Sequence, residues 1–289
     1  MIDLHMHTIN SDGTDTTLEI LKKCENLNLE YISITDHDTC EAYNDLKGID
    51  IKNIFKGRII TGCEFTTIYR GRTIEILGYF IEPDIINEWL NSFYNKQSMK
   101  NYRDDCINQA LKKLKNIGIK INKEELDKDC SYDRAIYKLL LLNKEENEKI
   151  IGQGILDNLT TLFRNGFANP ESLIYVDVGK YRPTPKQITD LIHKAGGLAF
   201  LAHPYQYYFE NILDMITLLR KDCDLDGVEA FHSTFTVEQT LILQEYAKKN
   251  KLYISGGSDY HGKRRPEISL KTGNDNLHIS KNILEWLKE

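Results

Sequence analysis

Residues 1–15 read Met1-Ile2-Asp3-Leu4-His5-Met6-His7-Thr8-Ile9-Asn10-Ser11-Asp12-Gly13-Thr14-Asp15. A short apolar opening runs straight into two histidines, and the composition is that of a strand. Side chains two apart on a strand point to the same face, so His5 and His7 present two imidazoles to one place, an arrangement able to hold a metal ion. Asp12 follows in Ser-Asp-Gly, a turn-forming triplet that returns a carboxylate over the same strand end. A lone His-x-His is more often a surface or core pair, so the rest of the chain must decide.

Length and composition set the frame. The 289 residues are 41% hydrophobic, enough for one large α/β domain or a domain carrying an insertion. A net charge of −6 and a pI near 5.8 exclude a general electrostatic grip on long nucleic acid or a DNA duplex, while leaving room for a local basic pocket for one phosphate. The six cysteines are dispersed and lack Cys-x-x-Cys spacing, which predicts reduced thiols. No apolar run approaches the ~20 residues of a membrane span, and the N-terminus lacks a signal peptide's basic and then apolar pattern. The expected location is cytoplasmic, with no membrane partner.

Strand-like and helix-like segments alternate outward from the opening. Thr16 to Leu29 suits a helix on a sheet, and Tyr31-Ile-Ser-Ile-Thr is a strand ending in Asp36-His37-Asp38. Arg58 to Ile68 reads as one strand carrying Glu64, and Thr73 to Ile81 as another carrying Glu75. From 87 to 178 the texture shifts to long Lys/Glu/Asn-rich helical patterns, Trp89 to Leu114 and Glu124 to Ile151, which predicts an inserted helical lid or substrate domain. Strand patterns resume with Leu198 to Ala202, delivering His203-Pro204, then Asp226 to His232, then Leu252 onward through Asp259 and His261. The alternation predicts a parallel α/β sheet or barrel formed by 1–86 and 179–289.

His5, His7, His37, Glu64, His203, Asp259 and His261 all fall at or just after predicted strand ends, the edge where parallel α/β folds build active sites. Imidazoles mixed with carboxylates, and no cysteine, suit Zn, Mn or Fe; a bridging carboxylate such as Glu64 suits a multinuclear site.

The order His-x-His, Ser-Asp-Gly, Thr-Asp-His-Asp, Gly-x-Glu, Ala-His-Pro, Gly-Gly-Ser-Asp-x-His resembles the PHP (polymerase and histidinol phosphatase) metallo-phosphoesterases. The resemblance covers Ile2 to Ile86 and Lys180 to Gly262, and only loosely the helical insertion. It implies a distorted (β/α)7 TIM-like barrel binding two or three divalent ions. Site one would use His5, His7, Glu64 and Asp259; site two Glu64 and His203; site three Asp12, His37 and His261. Close relatives usually carry a further site-two histidine where this chain has Glu75, which is read here as a substitute carboxylate ligand. The nearest branch is that of nucleotide phosphoesterases and 5′-3′ exoribonucleases, whose insertion holds an Arg-x-His segment. Here Arg134 remains and Ile136 replaces the histidine, making Arg134 the candidate phosphate clamp. His232 is a candidate for substrate contact or leaving-group protonation, against a packed strand-end histidine.

The implied activity is hydrolysis of phosphate esters of small metabolites or nucleotides by a metal-bridging hydroxide, with 5′-end trimming of short RNA as the nearby option. Two other classes stay open: amidohydrolase-like C–N or C–O hydrolysis, which shares the bridging hydroxide, and a non-catalytic metal-binding accessory domain.

Overall fold

A computed structural model of the chain describes residues 1–207 and 209–287. Three short strands, β1 (Ile2–Asp3), β2 (Tyr31–Ile32) and β3 (Arg58–Ile59), form an all-parallel sheet in that order. A second sheet contains β4 (Gly62–Tyr69), β5 (Arg72–Tyr79), β6 (Leu198–Leu201), β7 (Gly227–His232) and β8 (Tyr253–Gly257), also in chain order. β6, β7 and β8 are mutually parallel, but β5 runs antiparallel to β6, with Ile76 opposite Leu201. The second sheet is therefore mixed rather than purely parallel. Between β4 and β5 the connection is only Arg70 and Gly71, both at positive φ (50° and 78°), a turn too short for the crossover that parallel neighbours need.

The stretch 58–68, expected as one strand, is two. Ile60 N–H still bonds to Ile32 O at 2.8 Å, continuing the first sheet, whereas Gly62 opens the second. A Cβ at Gly62 would lie 2.2 Å from Ser33 Oγ, so the chain changes sheets where only glycine fits. The edges of the two sheets are joined by backbone bonds: Leu4 N–H to Gly256 O at 3.2 Å on one side, and Glu64 N–H to Asp36 O at 3.2 Å on the other.

The helices are α1 (Thr17–Asn26), α2 (Glu41–Asn44), α3 (Pro83–Phe93), α4 (Lys96–Asn116), α5 (Tyr132–Leu140), α6 (Lys144–Ile151), α7 (Leu159–Thr161), α8 (Pro185–Lys194), α9 (Ile212–Asp222) and α10 (Val237–Asn250). Three of them start at a capping box written locally in the sequence: Thr16 with Glu19, Thr184 with Gln187, and Thr236 with Gln239. The stretch 124–151, expected as one helix, becomes α-helical only at Tyr132 and breaks again at Leu141–Asn143, where Asn147 Nδ2 donates to Leu140 O at 2.7 Å and satisfies a terminal carbonyl.

Two compact units result, one of Met1–Tyr69, Thr73–Ser92 and Pro183–Glu289, the other of Arg70–Arg72 and Phe93–Arg182. In the first, Ile2, Leu4, Leu77, Tyr79 and Phe200 form a core closed by the C-terminal Trp286. The Trp286 ring stacks 5.3 Å from Tyr79, and its indole N–H reaches Ile254 O at 2.9 Å. The second unit has its own core, in which Cys106, Ile107, Ala110 and Leu114 of α4 meet Ala135, Ile136 and Leu140 of α5 at helical spacing. Ile136 is fully buried there and packs in this core. No described helix is long and apolar enough to cross a membrane.

Candidate metal centre

Ile2 and Leu4 enter the apolar core, while His5 and His7 turn to Glu64, and all four are buried together with Asp3. Asp3 accepts from the N–H groups of Ser258 (2.8 Å) and Lys271 (2.8 Å), fixing the chain beyond β8 against the opening strand. Gly257 permits this approach, since a Cβ there would lie 2.3 Å from His5 N and 2.4 Å from His5 Cβ. Asp259 follows at φ 58°, a left-handed conformation that aspartate tolerates, with its N–H donating to His5 O at 2.9 Å.

Around Glu64 the ligand-type side chains converge. Its Oε2 lies 3.2 Å from His5 Nε2, 3.3 Å from His7 Nε2 and 3.2 Å from His37 Nδ1, and its Oε1 is 2.9 Å from His203 Nε2. Glu64 sits near the beginning of β4, not at a strand end; a parallel bridge between His37 and Glu64 brings it level with the loop after β2. Asp259 Oδ1 stands 3.5 Å from His5 Nε2 and 3.2 Å from His7 Nε2. Glu75, from the middle of β5, turns its carboxylate to His37 Nδ1 (3.7 Å) and His203 Nε2 (3.4 Å). Asp12 Oδ1 meets His261 Nε2 at 3.0 Å and lies 3.8 Å from both His7 Nδ1 and His37 Nε2. Four overlapping groups have donor atoms within 4.8 Å of one another: His7, Asp12, His37 and His261; His5, His7 and Glu64; His5, His232 and Asp259; and His37, Glu64 and Glu75.

Residues outside the sequence-based set hold these ligands in place. Glu229 of β7 is wholly buried; its Oε1 accepts from His5 Nδ1 at 2.9 Å and its Oε2 from the His203 backbone N–H at 2.8 Å. A carboxylate can only accept, so His5 Nδ1 carries a proton toward Glu229 and the ring is oriented with Nε2 turned to Glu64. His261 is set likewise, because its Nδ1 donates to Asp259 O at 2.8 Å and leaves Nε2 toward Asp12. Asp36 accepts from Thr8 N–H (2.7 Å), Thr8 Oγ1 (2.7 Å) and Ser11 Oγ (2.6 Å), anchoring the loop that carries Asp12. Arg265 pairs with Asp259 Oδ2, and Arg264 Nη1 lies 3.1 Å from Asp12 Oδ2. The local signal for Glu229 was present, a carboxylate inside the apolar run Gly-Val-Glu-Ala-Phe. Arg264 and Arg265 gave none beyond adjacency to His261.

His232 is fully buried; Thr234 N–H donates to its Nδ1 at 3.2 Å, which leaves the proton on Nε2, 3.4 Å from Asp259 Oδ2. Arg134 stands exposed on α5 of the second unit, and the cluster is assembled without it.

The electrostatics are those of crowded opposite charges out of water. Burial would raise Glu64, yet the imidazoles of His5 and His37 and the hydrogen bond from His203 hold it well below the carboxylate range. Burial alone would lower His7 and His203, but carboxylate partners outweigh it and lift each to about 9. Glu75 is pushed up to about 7 by burial and by the charge of Glu64. His37 falls to about 4, chiefly by burial.

His5 Nε2, His7 Nε2, Asp12 Oδ1, His37 Nδ1, Glu64 Oε2 and His261 Nε2 are buried and make no hydrogen bond among the described residues. Six buried polar atoms that make no hydrogen bond, packed against one another in overlapping groups, point to ligands held between them. Nitrogen and carboxylate-oxygen donors with no sulfur fit divalent metal ions.

The sequence profile of the PHP domain matches residues 3–220. The chain is 25% identical over 276 residues to the phosphoribosyl 1,2-cyclic phosphate 1,2-diphosphodiesterase of Eggerthella lenta, covering 93% of this chain and 98% of that protein. It is 24% identical to the 5′-3′ exoribonuclease Rnm of Escherichia coli K12 over 90% of this chain and 84% of that protein. A solved structure from Chromobacterium violaceum, described as an amidohydrolase with bound SO4 and no metal, shares the fold with a TM-score of 0.63 at 21% identity, covering 91% of this chain and 88% of that one. With the profile spanning most of its length and its motifs meeting in one buried cluster, this chain belongs to the PHP domain family.

Proposed function

We infer that this protein hydrolyses phosphate esters with divalent metal ions held by the imidazole–carboxylate cluster. The observation that carries the reading is the set of six buried donor atoms, Glu64 Oε2 among them, that make no hydrogen bond and lie in overlapping groups. His5, His7, Glu64 and Asp259 would hold one ion, Glu64, Glu75 and His203 a second, and Asp12, His37 and His261 a third. When bound, such ions lower the pKa of water and neutralise phosphate oxygens. Glu75 in place of an imidazole makes the donor set harder and favours Mn or Fe over Zn. The backbone bonds joining the two sheets at both edges support a distorted (β/α)7 barrel as the scaffold, and the unit of Phe93–Arg182 is proposed as its lid.

The chain's own residues orient this chemistry. Glu229 sets the tautomer of His5, and Asp36 fixes the Asp12 loop. His232, with its Nε2 proton toward Asp259, is proposed to steady that carboxylate and to supply a proton on the same side. Arg134 is proposed to bind a substrate phosphate oxygen. Nucleotides and small phosphorylated metabolites are the proposed substrates, with short RNA 5′ ends as the larger option; the overall negative charge disfavours long polyanions.

The test is phosphate release from a panel of phosphomonoesters and short 5′-phosphorylated oligoribonucleotides with Mn added. Activity should fall by roughly a hundredfold or more in His203→Ala and in Glu75→Ala, as loss of a metal-ligating group implies. Wild-type rates in both variants, or release of ammonia from carboxamides with no phosphate released, would overturn the reading.

A further inference from the structure

The cluster poses an electrostatic problem for a phosphate ester. Asp12, Glu64, Glu75, Asp259 and Glu229 bring five carboxylates together, and an anionic substrate must approach them. Two guanidinium groups touch the rim of this arrangement, both from the turn after His261 in Gly262-Lys-Arg-Arg265. Arg264 Nη1 bonds to Asp12 O and lies near Asp12 Oδ2, each at 3.1 Å. Arg265 Nη1 pairs with Asp259 Oδ2, the oxygen that does not face His5 and His7. The turn is braced by Arg265 N–H to Gly262 O (3.3 Å) and by Ile268 N–H to Arg265 O (3.0 Å), so the side chain starts from a fixed base.

Resting on the phosphoesterase reading, we propose that Arg265, assisted by Arg264, is the phosphate-gripping group of the first unit, acting beside the metal ligands themselves. A guanidinium has five N–H donors, and only Nη1 of Arg265 is committed to a side-chain acceptor among the described residues. Its side chain is 32% exposed, enough to meet a ligand, while Asp259 behind it is 4% exposed. The ion pair fixes one edge of the planar group and leaves the remaining donors for two parallel bonds to phosphate oxygens. Arg264, at 58% exposure and held by Asp12, adds a second positive charge on the side of the third donor group. The ligand class is a terminal phosphate, which accepts two parallel bonds and carries the charge to offset the carboxylates.

The experiment measures inorganic phosphate binding to the Mn-loaded protein by calorimetry, alongside Mn content and KM and kcat for a phosphomonoester. Arg265→Ala should weaken phosphate binding tenfold or more and raise KM in step, with Mn content unchanged. Arg265→Lys should recover only part of this, since one ammonium cannot make the paired bonds, and Arg264→Ala should show a smaller loss. Phosphate affinity within twofold of wild type in Arg265→Ala overturns the proposal, as does a loss confined to molecules that have lost Mn, which would make Arg265 a positioning residue for Asp259 alone. Wild-type protein that binds phosphate through Arg265 yet hydrolyses no ester would instead sink the phosphoesterase reading and leave the anion site standing.

Discussion

Single residues in the cluster face a conflict between protons and metal. In the metal-free protein His7 and His203 titrate near 9, because neighbouring carboxylates outweigh the cost of burying an imidazolium. A metal ion requires the neutral ring, so loading must expel those protons. The sign follows from the direction of the shift. Folded values above the unfolded ~6.5 contribute stability that is complete below that pH and lost as pH rises toward 9. The chelated protein should therefore melt at a lower temperature as pH is raised from 6.5 to 9, and apparent Mn affinity should climb across the same window. Calorimetric Mn titrations in buffers of different ionisation enthalpy should show net release of protons near neutral pH, from His5 as well as from His7 and His203. Binding heats independent of buffer would refute this account.

At the scale of elements, the site depends on how closely the opening strand and β8 approach. Gly257 is the contact point, since its missing Cβ leaves room for His5 N and Cβ at 2.3 and 2.4 Å from where it would stand. Gly257→Ala must push the two strands apart, and His5 and Asp259 lie on opposite sides of that gap. Overpacking of this kind typically costs about 1–3 kcal/mol. The variant should fold with a lowered melting temperature and lose Mn affinity by tenfold or more, whereas Gly71→Ala, with open space around its Cβ, should leave metal binding intact. Equal Mn affinity in Gly257→Ala and wild type would show that the spacing is not critical. The loop of Asp15 and Tyr260 adds a second tie, with Tyr260 OH and Lys23 Nζ both meeting Asp15 Oδ2.

For the whole molecule, every residue of the converging groups belongs to the first unit, while the second has a separate apolar core built from α4 and α5. Metal binding stabilises whatever it binds by mass action, about 2.7 kcal/mol at a hundredfold excess over Kd. Chelation should therefore raise hydrogen exchange at the amides of His7, Glu64 and Asp259 and leave those of Ala110, Leu114 and Ile136 near their original rates. An equal loss of protection in both sets would mean that the two units unfold as one.

Much of this was legible in the chain because the information is local. Period-two spacing placed His5 and His7 on one face, the apolar pattern of Thr16 to Leu29 marked a helix, and turn chemistry positioned Asp12. The residue types of the ligand set, imidazoles and carboxylates without sulfur, already suit a divalent metal. Where a helix would break at Leu141, or a strand change sheets at Gly62, depended on neighbours distant in sequence, and the local patterns ran through both points. Glu229 reaches His5 across 224 residues of sequence, and Arg265 finds Asp259 only because a braced turn folds it back. Which nitrogen each imidazole offers, and whether Glu75 faces the cluster or turns away, are set by such long-range contacts. Spacing along a strand determines which side chains share a face; the orientation of a buried charge is determined by the partners that satisfy it, and those are brought together only by the fold.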